Sequence, residues 1–319
     1  MNNIIYIKKV DDYDDILKKK HKRFPIFLKK LIFLYKNIFN IITKKEIEDC
    51  NIWILPIQEK YSDNEINSLL KKLTKKSENT FIVSNDLENT QLYKLMNLYN
   101  IKYLKGEKLK IFLLIKILEY VNNIQNNDLK NIEVTVLVND VSELNIYIIE
   151  KLAKLVKGIK VVSPSIYKFK NLEEKLYNEY GIAIQLSNSY RISLAKSKYI
   201  INLDFNQIDI NEYDIFNKAI IINCMEDNIK IKSKLFNGIV INSCNIKFKK
   251  EIRDKFKQIE VYHKYNSLVL YESVIKNERS FSKIFEKLDE DKVIISNIIG
   301  NNGIINKKEF KNINKKLDK

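Results

Sequence analysis

Short apolar runs alternate with longer amphipathic stretches along most of this chain. A run of about four to eight apolar residues suits a strand buried on both faces, whereas apolar residues three and four apart suit one face of a helix. On that reading residues 3–7 form a first strand. Residues 14–42 are basic at first and apolar later. From Phe27 the positions Leu28, Leu31, Ile32, Tyr35, Ile38, Phe39 and Ile42 fall on one helical stripe, opposite Lys29, Lys36, Asn37 and Asn40, with Phe33 interrupting the polar face. Strand and helix then take turns: strand 52–57, helix 63–76 with Asp63 as its cap, strand 80–84, helix 87–99, strand 101–104, and the long apolar helix 107–124.

The asparagine-rich stretch 122–131 reads as a domain boundary. Beyond it the rhythm is clearer: strand 133–138, helix 143–156, strand 159–162, helix 172–180, strand 182–186, short helix 191–195, then strands 198–203, 219–223 and 238–242. Such alternation implies right-handed βαβ units and a parallel sheet. The fold class expected is α/β, with an N-terminal α/β domain followed by a parallel-sheet domain. Residues 265–275 and 281–288 read as helices, and 299–304 as a turn between apolar pairs. The organisation is then a basic N-terminal segment with an amphipathic helix (1–45), a small α/β domain (46–125), the parallel-sheet domain (132–248) and a helical C-terminal region with a basic tail (249–319).

Composition narrows the function. With 45% hydrophobic and 11% aromatic residues the chain is not of a disordered type. Only 6 glycines are present, so glycine-rich ligand loops are almost excluded. The net charge is +16, of which residues 1–45 carry +8 and residues 306–319 carry +4, leaving +4 for the 260 residues between. A polyanion or an anionic membrane surface would therefore meet the ends of the chain, residues 18–45 above all; the alternative is a helix packed on the protein body with snorkelling lysines. The dominance of Lys, Asn and Ile also fits a strongly AT-biased coding sequence, so part of the charge need have no role. Lysines inside the apolar run argue against a transmembrane segment. The opening, with Asp11, Asp12, Asp14 and Asp15 after a brief apolar run, is unlike a secretory leader, and the expected location is cytoplasmic. Cys50, Cys224 and Cys244 are too widely spaced for a disulfide framework or a metal site and read as small buried hydrophobes.

In an open parallel sheet, ligands bind beyond the carboxyl ends of the strands. Those ends are polar here: Asn139-Asp140, Ser163-Pro164-Ser165, Ser187-Asn188-Ser189, Asn202 with Asp204, Asn223, and Asn242-Ser243. They read either as helix caps and turn formers or as a ligand rim. Asn139, Ser163, Asn188, Ser189, Arg191, Asn202 and Asp204 are the candidate binding residues, with Arg191 able to clamp a phosphate or carboxylate.

The stretch Val134-Thr135-Val136-Leu137-Val138, the amphipathic segment 144–155 with Ala153, and Gly158-Ile159-Lys160-Val161-Val162 resemble the first βαβ unit of the NAD(P)-binding, Rossmann-like domain of two-domain dehydrogenases. Shikimate dehydrogenase and glutamyl-tRNA reductase share that layout. The resemblance spans residues 132–224 and implies NAD or NADP as cofactor. It departs from the family at the phosphate loop. The chain has Val138-Asn139-Asp140-Val141-Ser142-Glu143-Leu144-Asn145 where glycines are expected, and no glycine occurs between Gly106 and Gly158. Ser163-Pro164 replaces the acid that grips a ribose hydroxyl; Ser163 with Lys168 could suit a 2′-phosphate instead.

Other chemistries lack their residues. His21 and His263 are the two histidines, and there is no nucleophile elbow, phosphate-loop lysine motif or paired metal-binding histidine. Catalytic residues are not identifiable. Three readings remain: a degenerate dehydrogenase-like scaffold binding a small anionic or nucleotide ligand between its domains; an interaction or membrane-surface protein acting through its basic N-terminal helix; and an active NAD(P)-dependent reductase with an atypical phosphate loop.

Overall fold

The computed structural model describes residues 3–9, 43–47, 50–57, 64, 80–83, 91–98, 101, 103–258 and 265–315. The expected helix 63–76 apart from Asn64, the amphipathic segment as far as residue 42, both histidines and the last four residues lie outside them. The chain forms two compact units, each built from two separated stretches: Met1–Gly106 with Phe248–Asn277, and Glu107–Lys247 with Glu278–Lys319. These units differ from the successive domains read from composition. The change of unit falls between Gly106 and Glu107, and the asparagine-rich stretch lies inside the second unit.

The first unit holds a four-stranded sheet in the order β2-β3-β1-β4, made of β1 (Asn3–Lys9), β2 (Thr43–Ile47), β3 (Cys50–Ile57) and β4 (Thr80–Val83). β1 pairs in parallel with both β3 and β4, and β2 closes the edge antiparallel to β3. The strand expected at 3–7 is thus present and lies inside the sheet, over residues 3–9, and Lys44 and Lys45 lie in β2. Helix α1 (Gln91–Leu98) follows, but of the strand expected over 101–104 the described residues show only an isolated bridge at Tyr103. The Ile101 N–H instead returns to Met96 O.

The second unit opens with α2 (Glu107–Ile124). Its sheet contains β5 (Glu133–Leu137), β6 (Gly158–Val162), β7 (Gln185–Ser187), β8 (Tyr199–Asn202), β9 (Ile220–Asn223) and β10 (Ile239–Ile241). All six are parallel, in the order β10-β9-β8-β5-β6-β7. The apolar runs are buried throughout in β8, β9 and β10, as strands covered on both faces require. α3 (Glu143–Ala153) starts where the Ser142 hydroxyl accepts the Asn145 N–H, with Glu143 in its first turn. α4 (Lys170–Tyr180) ends on Gly181, whose positive φ lets the Ile182 N–H reach back to Leu176 O. That bond holds Ile182 in the helix terminus, so β7 starts at Gln185 rather than at 182.

Residues 191–195 are turns, not a helix. One helical bond forms, Ser193 N–H to Ser189 O. Beyond it, Ser193 shares a hydroxyl contact with Ser187, and its carbonyl accepts from the Ser197 hydroxyl and the Lys160 ammonium. These competing partners end the helix, and Leu194 turns into the core beside Leu137, Val162 and Ile200. α5 (Gln207–Asn211) is held by a capping box between Asn206 and Asp209.

After β10 the chain runs into β11 (Ser243–Lys247), then through α6 (Lys250–Gln258) and α7 (Ser267–Ile275) of the first unit, and returns as α8 (Phe281–Glu290). β12 (Ile294–Gly300) and β13 (Gly303–Ile304) complete an antiparallel sheet ordered β11-β12-β13, and α9 (Lys307–Lys315) follows. The region beyond 249 is therefore helical only in part. No helix among the described residues is long and apolar enough to cross a membrane.

Candidate functional site

Counted from β5, the strand order of the second unit is 3-2-1-4-5-6. The order reverses between β5 and β8, so the loops after those two strands flank the place where such sheets bind ligands. Here the two loops are tied together. The Asp204 carboxylate, just beyond β8, accepts the Asn139 N–H at 2.5 Å and the Asp140 N–H at 3.1 Å, both just beyond β5. It also accepts the Asn145 side-chain amide at 3.2 Å, and the Asn139 amide reaches Asp204 O and Asp209. Burial pushes the Asp204 carboxyl above the ordinary aspartate value and the neighbouring Asp140 adds to this, while the N–H donors of Asn139 and Asp140 and the Asn145 amide pull the other way.

The layout is Rossmann-like. Comparisons with solved structures give only distant matches. The L-tryptophan dehydrogenase of Nostoc punctiforme matches at 10% identity and a TM-score of 0.34, over 99% of this chain and 89% of its own. The dipicolinate synthase chain of Bacillus halodurans matches at 12% identity and a TM-score of 0.33, over 69% and 81%. No protein-family model matches the sequence, and no curated protein does.

A second network crosses the other half of the carboxyl edge. Asn202, Asn223 and Asn242 end or follow β8, β9 and β10, and all three are buried. Their amides bond in series: Asn202 Nδ2 donates to Asn223 Oδ1 at 3.0 Å, Asn223 Nδ2 to Asn242 Oδ1 at 3.0 Å, and Asn242 Nδ2 to Asn301 Oδ1 at 2.8 Å. Asn301 then donates to Ile229 O. The same amides also hold the loops that follow, through Phe205, Asp227 and the Ile229 N–H.

Four of the seven candidate residues are therefore engaged in the protein's own structure: Asn139, Asn202 and Asp204 as described, and Ser163, whose buried hydroxyl accepts the Ser165 N–H. Each of these bonds holds a loop that follows its strand. Asn188 and Arg191 are exposed, Ser189 is half-buried, and Arg191 makes no ion pair among the described residues. Lys168 lies 3.7 Å from Asp140, a largely exposed pair that leaves its ammonium less available to a phosphate.

Sequence reading missed Lys110 altogether. It projects from α2 into the interior, 7% exposed, and donates to Met225 O at 2.5 Å and Asn242 O at 3.3 Å. A lysine on an apolar helix gives no signal that separates this role from snorkelling.

Proposed function

We propose that this chain is a dehydrogenase-like scaffold without dinucleotide redox chemistry, binding a small anionic ligand at the part of the carboxyl edge that remains open. One observation carries the reading: the Asp204 carboxylate takes the backbone donors after β5. In a dinucleotide site those donors and the following helix N-terminus face a pyrophosphate, and glycines let it approach. Here an internal carboxylate stands there, Asp140 and Glu143 add negative charge, and the Asn145 N–H is already capped by Ser142. NAD or NADP does not fit this loop. Arg191, with Asn188 and Ser189 beside it in sequence, is an exposed cation able to hold a phosphate or carboxylate.

Calorimetric titration of the full chain with NADH and NADPH tests the first part. The expected result is no saturable heat at millimolar ligand, and saturable binding would overturn the reading. For the second part, a thermal-shift panel of small phosphates and carboxylates should contain a ligand whose stabilisation is lost in Arg191→Ala. A panel in which no ligand depends on Arg191 would remove the proposed site.

A further inference from the structure

The opposite edge of the same sheet carries a cavity of about 690 Å³, where β5, β6, β7 and β8 begin. Four lysines line it: Lys157 just before β6, Lys160 within β6, and Lys196 and Lys198 just before β8. The carboxylate in the lining is Glu133. None of the four lysines makes an ion pair among the described residues. The Lys160 ammonium reaches Ser193 O at 3.4 Å, and that of Lys198 lies 5.5 Å from the Tyr199 ring centroid. The side-chain amide of Gln185, also in the lining, has no hydrogen-bond partner among the described residues.

Lysines spread over a convex surface keep apart and stay hydrated. Four that line one concavity add their positive potential there, and a bound polyanion offsets it. The Lys198 ammonium is partly withdrawn from water, and burial lowers its pKa from the ordinary lysine value, as an ammonium without a carboxylate partner should behave. The cationic residues of this lining are all lysines, whose compact ammonium charges bind phosphate oxygens as point charges. The volume falls in the range of small-molecule sites and exceeds what one phosphate would fill.

We infer that this cavity binds a small anion carrying two or more phosphate groups, held by Lys157, Lys160, Lys196 and Lys198. It shares no residue with the carboxyl edge, so its test stands apart from the reading above. The experiment is calorimetric titration of the full chain with inorganic pyrophosphate and, separately, with inorganic phosphate. Pyrophosphate should bind at least about tenfold more tightly than phosphate. The double variant Lys160→Glu/Lys198→Glu should lose at least about tenfold in pyrophosphate affinity, as the loss of two charge-assisted contacts implies. Lys157→Glu/Lys196→Glu, at two exposed positions outside the sheet interior, serves if the first variant does not fold. Lys170→Glu/Lys234→Glu carries the same change of net charge away from the cavity and should bind like the unaltered chain. Absence of pyrophosphate binding, unchanged binding in the cavity variants, or an equal loss in the charge-matched control would each overturn the inference.

Discussion

Lys110 shows how strongly one residue depends on what surrounds it. Its two carbonyl partners come from the carboxyl ends of β9 and β10, and it sits near two buried thiols. Burial pushes Cys224 and Cys244 up to about 12, so both stay neutral at ordinary pH and neither supplies a counter-charge. Burial likewise lowers the Lys110 pKa. A base whose folded pKa lies below its unfolded value resists protonation in the folded state. Between those two values the unfolded chain holds more protons, so stability rises with pH until about 10.5 is passed. Urea unfolding of the natural chain and of Lys110→Met between pH 7 and pH 10.5 checks this. The natural chain should gain on the variant as pH rises, at most about 1.4 kcal/mol per pH unit. A difference that does not change with pH would contradict the buried position. Nothing in the sequence separates Lys110 from the lysines beside it, because its burial depends on strands more than a hundred residues away.

At the scale of elements, the asparagines after β8, β9 and β10 were legible as polar strand ends, and their use was not. Asn202 pairs in register with Asn223, which puts side chains at the same height on neighbouring strands and allows one amide to bond the next. Removing the middle member leaves one Asn202 side-chain N–H and the Asp227 carbonyl without that partner, while Asn242 Oδ1 keeps the Ile229 N–H. Asn223→Ala should therefore destabilise by about 2–4 kcal/mol, since each buried polar group left unsatisfied costs about 1–3 kcal/mol. Asn301→Ala, at the exposed end of the series, should cost about 1 kcal/mol because water replaces the lost amide. Equal effects of the two substitutions on the urea midpoint would show that the series does not act as one network. The helix expected over 191–195 failed for a related reason: the Ser193 hydroxyl meets that of Ser187, and its carbonyl accepts from the Ser197 hydroxyl and from the ammonium of Lys160, 33 residues earlier, and these bonds compete with helical ones.

At the scale of the whole molecule, the chain leaves the parallel-sheet unit and returns to finish it. The returning stretch supplies α8, whose Phe285 meets Phe112 of α2 edge-on at 5.5 Å and stacks on Tyr147 of α3 at 5.8 Å between ring centroids. It also supplies β12, the centre of the antiparallel sheet, and the buried Phe310, whose carbonyl accepts from Gln125. A chain ending at Asn277 should lose protection across β5, β8 and β9 in hydrogen–deuterium exchange, because α2 and α3 would expose the aromatic faces that α8 covers. Protection unchanged in those strands would show that the returning stretch is dispensable. The amino-acid sequence by itself determined the α/β class and nearly every strand of the parallel sheet, because buried strands need continuous apolar runs and such runs are local. It also determined the absence of glycines after β5. Tertiary structure alone decided which polar strand ends bond to one another. That choice rests on strand order and register, which bring Asp204 to Asn139 and Asn202 to Asn223 across gaps in the chain that no local pattern encodes.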